Sequence, residues 1–447
     1  MDWLPTIEGR RGPAYQRIVD ALADDIAAGR LHQGRRLPTH RALAQALDLD
    51  VTTVTRAYAE AGRQQLVEAR VGRGTFVKAE AAGLRRTAPP PAIDLSMILP
   101  PLPEGADLDG RIGATLAEIR RQSGFAPYLA YQRAGGSAAE RGVAAEWLRP
   151  RVPGLTSDRL LVAPGTQATL AALLLALTQP GETVLCEALT YPGLKAAARV
   201  ARVTLDGIAM DDQGVLPKSL DRACKRSGAS LVVLTPTMHN PTTATMSPQR
   251  RADVAEVIAR RGLTLIEDDP YLFLDLAVQP LATLIPERTY LAASLSKCLA
   301  PGLRTSLLVT PDADSAQRAS EALRATMQMS APLMTAVAVR WMQYGGASEI
   351  IGIVREEAAA RQALCREVLG EATFAAQPAS PHIWLRTPST WSSDQFSTML
   401  QRRGLGVMPG EAFAVSETVP HGIRLALGAA RSIRELRAAF EIVSASL

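Results

Sequence analysis

The run Ser294-Leu295-Ser296-Lys297-Cys298-Leu299-Ala300-Pro301-Gly302-Leu303-Arg304 places one lysine beside two hydroxyls, with an arginine seven residues on. A lysine amine forms a Schiff base with an aldehyde once desolvation or a neighbouring cation lowers its pKa. The serines and Arg304 suit an anion held beside it, most simply a phosphate. Lysine is scarce in this chain: Lys78, Lys195, Lys218, Lys225 and Lys297 are all it has. Lysine chemistry therefore has few candidate positions. Taken alone, the run also reads as a strand followed by a positively charged loop.

Other pieces narrow that choice. Pro164-Gly165-Thr166-Gln167 precedes the apolar stretch Leu170–Leu177. A glycine and a hydroxyl at a helix start suit a phosphate, because free backbone N–H groups point outward there. Asn240-Pro241 follows the apolar run Leu231–Thr235, and Ile266-Glu267-Asp268-Asp269-Pro270-Tyr271 ends another. Open α/β sheets bind ligands at the carboxyl ends of their strands. An aspartate buried there against a ring nitrogen would keep it protonated and make the ring an electron sink.

The elements that must position these residues are legible in the pattern. From Ile93 onward, strand-like runs alternate with amphipathic helices: Arg159–Val162, Thr183–Cys186, Leu231–Thr235, Thr264–Asp268, Tyr290–Ala293 and Thr305–Thr310. Such alternation predicts an α/β domain with a mostly parallel sheet over 93–447. Residues 1–78 differ. Helices are expected at Ala14–Ala28, Arg41–Leu47 behind an N-cap Thr39, and Val51–Gly62. A hairpin follows, Leu66–Arg70 and Thr75–Val77 around Val71-Gly72-Arg73-Gly74. Between Arg30 and Lys78 stand nine basic residues and four acids, a surplus that suits an anionic partner. Residues 79–92, ending in Pro-Pro-Pro-Ala, have linker composition.

Composition excludes several classes. Hydrophobic residues make up 47% and charged residues 21% of 447, which is globular rather than disordered. No apolar run reaches the roughly 18 residues of a membrane span. Four cysteines without a CxxC pair indicate neither a disulfide framework nor a metal site. The amino-terminus lacks the basic-then-apolar order of a secretory signal, so a soluble, cytoplasmic protein with no membrane partner is expected.

Helix, helix, turn, helix and β-wing is the winged helix-turn-helix arrangement, whose third helix fits the DNA major groove. Leu37-Pro38-Thr39-His40-Arg41-Ala42-Leu43-Ala44, Thr53-Val54, Ala57-Tyr58 and Gly72-Arg73-Gly74-Thr75-Phe76-Val77 resemble the GntR-type DNA-binding domain over residues 13–78. That resemblance implies contacts to double-stranded operator DNA from Arg41, Thr52, Thr53, Arg56 and Arg73. Val51 stands where the family often has a guanine-reading arginine, which weakens any transfer of operator sequence.

Residues 93–447 look like the fold-type I aminotransferases, which use pyridoxal 5′-phosphate (PLP). The resemblance implies Lys297 as the Schiff-base lysine and Asp268 as the partner of the pyridine nitrogen. It further implies Asn240 and Tyr271 at the ring hydroxyl, and Tyr191 stacked on the ring. Gly165, Thr166, Gln167, Ser294, Ser296 and Arg304 would hold the phosphate, with Tyr131 reaching that of a partner subunit. Arg424, in Gly422-Ile-Arg-Leu-Ala-Leu-Gly, matches the arginine that clamps a substrate α-carboxylate. Three positions depart from the pattern: Thr243 for a glycine, Glu140 for a leucine, and Cys298 directly after the lysine. A small packed residue is the expected role of Cys298.

Head, linker and body together resemble the MocR transcription regulators. There PLP serves as a sensor component, and either PLP itself or an amine or amino-acid effector shifts the DNA-bound state. A head-to-tail homodimer is implied. The alternative is a genuine PLP-dependent aminotransferase acting on an amino acid, since sensing and transamination share their first step. A scaffold that needs no PLP is disfavoured by Lys297 and its phosphate set.

Overall fold

In a computed structural model, the residues described are 3–7, 13–27, 30–31, 34–63, 66–70, 74–77, 91–370, 374–416 and 421–447. The chain separates into two compact units, Met1–Pro90 and Pro91–Leu447.

In the first unit, Ile18, Val19 and Leu22 recur at helical spacing along Ala14–Ala27, which turns one apolar face inward. That face packs with Leu43 of His40–Ala46, with Val54, Ala57 and Tyr58 of Val51–Arg63, and with Val77. Thr39 caps the second helix by accepting from the Ala42 amide at 3.3 Å, as its position predicted. Strands Val67–Arg70 and Gly74–Val77 pair antiparallel, pairing Arg70 with Gly74. The expected wing tip at 71–73, with Arg73, lies outside the described residues, as do 79–90 of the expected linker.

The second unit is organised on a seven-stranded sheet. In spatial order its strands are Leu160–Ala163, Ser306–Val309, Thr289–Ser294, Thr264–Asp269, Leu231–Leu234, Thr183–Glu187 and Thr204–Ile208. Six point the same way, and Ser306–Val309 runs antiparallel to both its neighbours. Central strands such as Leu231–Leu234 are buried at every position, which explains their unbroken apolar sequence. Thr204–Ile208 escaped the sequence pattern because it is an edge strand with polar Thr204 and Asp206. A second, four-stranded sheet joins Phe374–Ala375, His382–Arg386, Gly422–Ala426 and Met408–Pro409.

One departure from the aminotransferase pattern has a local structural reason, and a second carries a local cost. Glu140 completes a capping box at the start of Ala138–Leu148. Its carboxylate accepts from the Ser137 amide at 2.7 Å while Ser137 Oγ accepts from the Glu140 amide at 3.2 Å. Thr243 has φ +62°, left-handed backbone that glycine adopts freely and a β-branched residue adopts under strain. Cys298 is buried in the apolar core with its Sγ 3.6 Å from the Ser294 carbonyl oxygen, a packed small residue as expected. No described helix is long and apolar enough to cross a membrane.

Candidate functional site

A cavity of about 480 Å³ opens at the carboxyl ends of the sheet strands. Eleven of the expected site residues line it: Thr166, Gln167, Tyr191, Asn240, Asp268, Tyr271, Ser294, Ser296, Lys297, Arg304 and Arg424. Asp268 stands near the end of Thr264–Asp269, and Ser294 is the last residue of Thr289–Ser294. Tyr131 is not part of the wall; it is 82% exposed.

The floor is electrostatically loaded. Asp268 is buried, and its Oδ1 has no hydrogen-bond partner among the described residues. Burial and the neighbouring Asp269 push its carboxyl up to about 7, against the pull of Lys297. Lys297 donates from Nζ to the Ile98 carbonyl at 2.7 Å. Burial, then Arg424 and Arg304, bring its amine down to about 8 although Asp268 opposes them. More of the amine is then neutral near pH 7 than at its ordinary value of 10.5, which is what a nucleophilic lysine requires.

The opposite end is built from backbone. Gly165, at φ +94°, precedes Thr166–Leu177 as a helix cap with no side-chain hydrogen bond, which leaves amides of the first turn free. A Cβ at Gly165 would lie 3.0 Å from Arg304 Nη2, so only glycine lets that guanidinium approach without displacement. Arg304 is exposed and donates to the Pro164 carbonyl at 3.2 Å. Ser294 Oγ accepts from the Ser296 amide at 3.1 Å, which turns the chain between the two serines.

Along the side, Arg424 is buried on Gly422–Ala426 with its guanidinium 5.1 Å from the Phe413 ring centre. Its Nη1 donates to Asn240 Oδ1 at 2.9 Å and its Nη2 to the Ser96 carbonyl, while Nε has no partner among the described residues. Burial lowers its pKa to about 10. Tyr271 is fully buried, which raises its phenol, and its ring packs against His382 at 5.5 Å.

Sequence reasoning missed five residues. Gly193 lets Tyr191 and Gln167 close over it, since a Cβ there would collide with both. His382, held neutral by burial with its pKa near 3, backs Tyr271. The Ser96 and Ile98 carbonyls hold Arg424 and Lys297, and a backbone carbonyl has no signature in side-chain sequence. Glu187, at the carboxyl end of Thr183–Glu187, is pushed up to about 8 by burial and accepts from the Thr235 amide at 2.6 Å.

On the first unit, Arg41, Thr52 and Arg56 are exposed and Thr53 is half-buried. Both the amide and the hydroxyl of Thr52 donate to Asp50 Oδ1, at 2.7 and 2.5 Å, so Thr52 helps start the third helix. Arg56 lies with its guanidinium carbon 4.1 Å from the Tyr15 ring centre.

A lysine-bearing cavity on an open α/β sheet, joined to a winged helix-turn-helix head, defines a class: transcription regulators that combine a DNA-binding domain with an aminotransferase fold. Residues 106–443 match the aminotransferase class I and II family and residues 14–77 the bacterial regulatory proteins of the gntR family. The chain therefore belongs to the aminotransferase class I and II family, in its MocR-type branch of gntR-headed regulators. It is 30% identical to the HTH-type transcriptional regulator YdeF of Bacillus subtilis, over 98% of this chain and 95% of that one. It is 27% identical to the vitamin B6 salvage pathway transcriptional repressor PtsJ of Salmonella typhimurium, over 93% and 94%. Among solved structures, the α-aminoadipate aminotransferase LysN of Thermus thermophilus superposes with a TM-score of 0.72 at 22% identity, covering 80% of this chain and 92% of that one. The head binds DNA, and the cofactor of the body is PLP. The residues present fit that group: an unpartnered buried carboxylate oxygen, a depressed lysine and a glycine-opened helix start face one cavity.

Proposed function

We propose that Lys297 and Asp268 hold PLP and that Arg424 receives the carboxylate of an amino-acid effector, whose arrival changes operator binding. The observation that carries this is the unpartnered Oδ1 of Asp268 in the cavity that Lys297 enters. When bound, PLP supplies an aldehyde that amines attack and a ring that withdraws electrons. Asp268 then keeps the proton on the ring nitrogen, because an ionised carboxylate beside it favours the charged ring. Tyr191 covers one ring face, with Asn240 and Tyr271 at the ring hydroxyl. Gly165, Thr166, Gln167, Ser294, Ser296 and Arg304 surround the phosphate. Arg41, Thr52, Thr53, Arg56 and Arg73 contact DNA, and Thr52 also orders the helix start through Asp50. The working division is a head over 1–78, a linker over 79–92 and a body over 93–447, acting in the cytoplasm.

A guanidinium pairs a carboxylate through two parallel hydrogen bonds, which suits Arg424 to sensing. A signal requires that the effector bind two arrangements of the protein with different free energies. Arg424→Ala should keep PLP and basal operator binding yet lose the effector's influence in a footprint of the neighbouring promoter. A normal response in that variant would remove Arg424 from the sensing step. A wild type that responds to PLP alone would make the vitamin the signal, as the name of PtsJ suggests for that relative.

The assembly proposed is a head-to-tail homodimer in which Tyr131 reaches the partner's phosphate. Leu129 and Tyr131 are 83% and 82% exposed, an apolar pair that suits a covered surface. Sedimentation of the holoprotein tests it. Amino-group transfer is the second reading, favoured by the intact set Lys297, Asp268 and Arg424; sustained keto-acid formation from an amino acid would support it.

A further inference from the structure

With PLP and a carboxylate assigned, part of the cavity wall still lacks a role, and that remainder has one chemistry. Among the described residues, the charged side chains of the cavity are Asp268, Lys297, Arg304 and Arg424. The ring nitrogen, the aldehyde end, the phosphate and the carboxylate take all four. Beside Asn240 and the Ser96 carbonyl, which hold Arg424, the wall carries apolar side chains. Met408 is the register partner of Arg424 across the antiparallel pair Met408–Pro409 and Gly422–Ala426, so their side chains stand on the same face. Ser96, whose carbonyl accepts from Arg424, leads directly into Met97, Ile98 and Leu99, all in the cavity wall.

We infer that the effector is a monocarboxylic amino acid with an apolar, uncharged side chain that packs on Met97, Ile98, Leu99 and Met408. This rests on the PLP and carboxylate reading above. A second carboxylate, a sulfonate or an ammonium on the effector would lie against methionine and leucine with no counter-charge from the described cavity residues of its own chain, and burying an uncompensated charge is costly. An alkyl or thioether chain instead gains by leaving water. Methionine side chains adapt to irregular shapes, so the wall accepts linear and branched chains alike. Met97 is 62% exposed, which puts it at the mouth rather than the floor.

The test is titration of PLP-loaded protein, following its visible absorption band, with alanine, 2-aminobutyrate, norvaline, methionine, glutamate, lysine and taurine. The apparent Kd should fall about fourfold per added methylene from alanine to norvaline. Glutamate, lysine and taurine should bind at least about tenfold more weakly than methionine. Met97→Arg alters an exposed mouth residue and supplies a cation, so it should improve glutamate relative to methionine. Glutamate, lysine or taurine binding as tightly as methionine in the wild type overturns the inference and leaves the PLP and carboxylate reading standing. A flat series from alanine to norvaline does the same. A band that no amino acid moves overturns both.

Discussion

The two units present their binding groups in opposite ways. On the first, the groups assigned to DNA are mostly exposed: Arg41, Thr52 and Arg56 stand outside a core of Val54, Ala57 and Tyr58. In the second, Asp268, Tyr271 and Arg424 are buried beneath the sheet's carboxyl edge. The difference follows from the partner. DNA is larger than the head and strongly charged, so exposed cations meet phosphates at little desolvation cost. A cofactor is smaller than its cavity, so its partners must be buried in advance and wait with shifted pKa values. Changes in the second unit should therefore be steep and pH-dependent, and those in the first graded and salt-dependent.

The largest effect is expected at Lys297. Lys297→Ala should abolish the visible band of the purified holoprotein while circular dichroism stays native, because the side chain is half-buried and its removal opens little core. A retained band would show that another amine holds the cofactor.

Asp268→Asn should separate stability from binding. The folded-state pKa is about 7 against an ordinary 3.8. A raised folded pKa means that the folded chain holds the proton more tightly than the unfolded one. Stability of the PLP-free protein is therefore lost as pH rises from about 4 to about 7, by up to about 4 kcal/mol. Asparagine cannot ionise, so the variant's PLP-free form should melt higher than wild type at pH 8 and similarly at pH 4. Its PLP affinity should fall, because the ring nitrogen loses its charged partner. Equal melting at both pH values would mean that Asp268 is not held neutral by its surroundings.

How much of this contrast was legible in the sequence depends on the kind of signal. The lysine, the aspartate and the glycine-led helix start were readable because each is a side-chain type at a strand or helix end. Six of the seven main strands were readable from apolar runs, and edge strand Thr204–Ile208 was not. The Arg424–Asn240 contact joins residues 184 apart through two sheets, and no spacing rule encodes it. The roles of Ser96 and Ile98 were invisible because their carbonyls, not their side chains, act.

On the first unit the effects should be smaller. Arg41→Ala and Arg73→Ala should each weaken binding to all sequences and flatten the slope of log K against log salt by about one, as one phosphate contact is lost. Thr53→Ala should instead change which operator is preferred. A chain lacking residues 1–78 that binds the promoter equally well would sink the assignment of the head. Salt-insensitive losses at Arg41 would contradict the exposed-cation side of the comparison.

The smallest effect tests whether a departure from the aminotransferase pattern is local. Glu140 accepts from the Ser137 amide, and Ser137 accepts from the Glu140 amide, at the start of Ala138–Leu148. Leucine, the residue usual at this place, cannot accept that hydrogen bond. Glu140→Leu should therefore cost about 1 kcal/mol, the ordinary worth of a cap. Glutamine keeps an acceptor at the same reach, so Glu140→Gln should cost less than about half of that. Both variants should retain the visible band and the response to effector, since Glu140 is not among the residues lining the Lys297 cavity. Chemical denaturation of the two beside wild type measures the difference. If leucine is as stable as glutamate, apolar packing at this half-buried position outweighs the cap. If either variant loses PLP, Glu140 acts on the cofactor site, and the departure is functional rather than local.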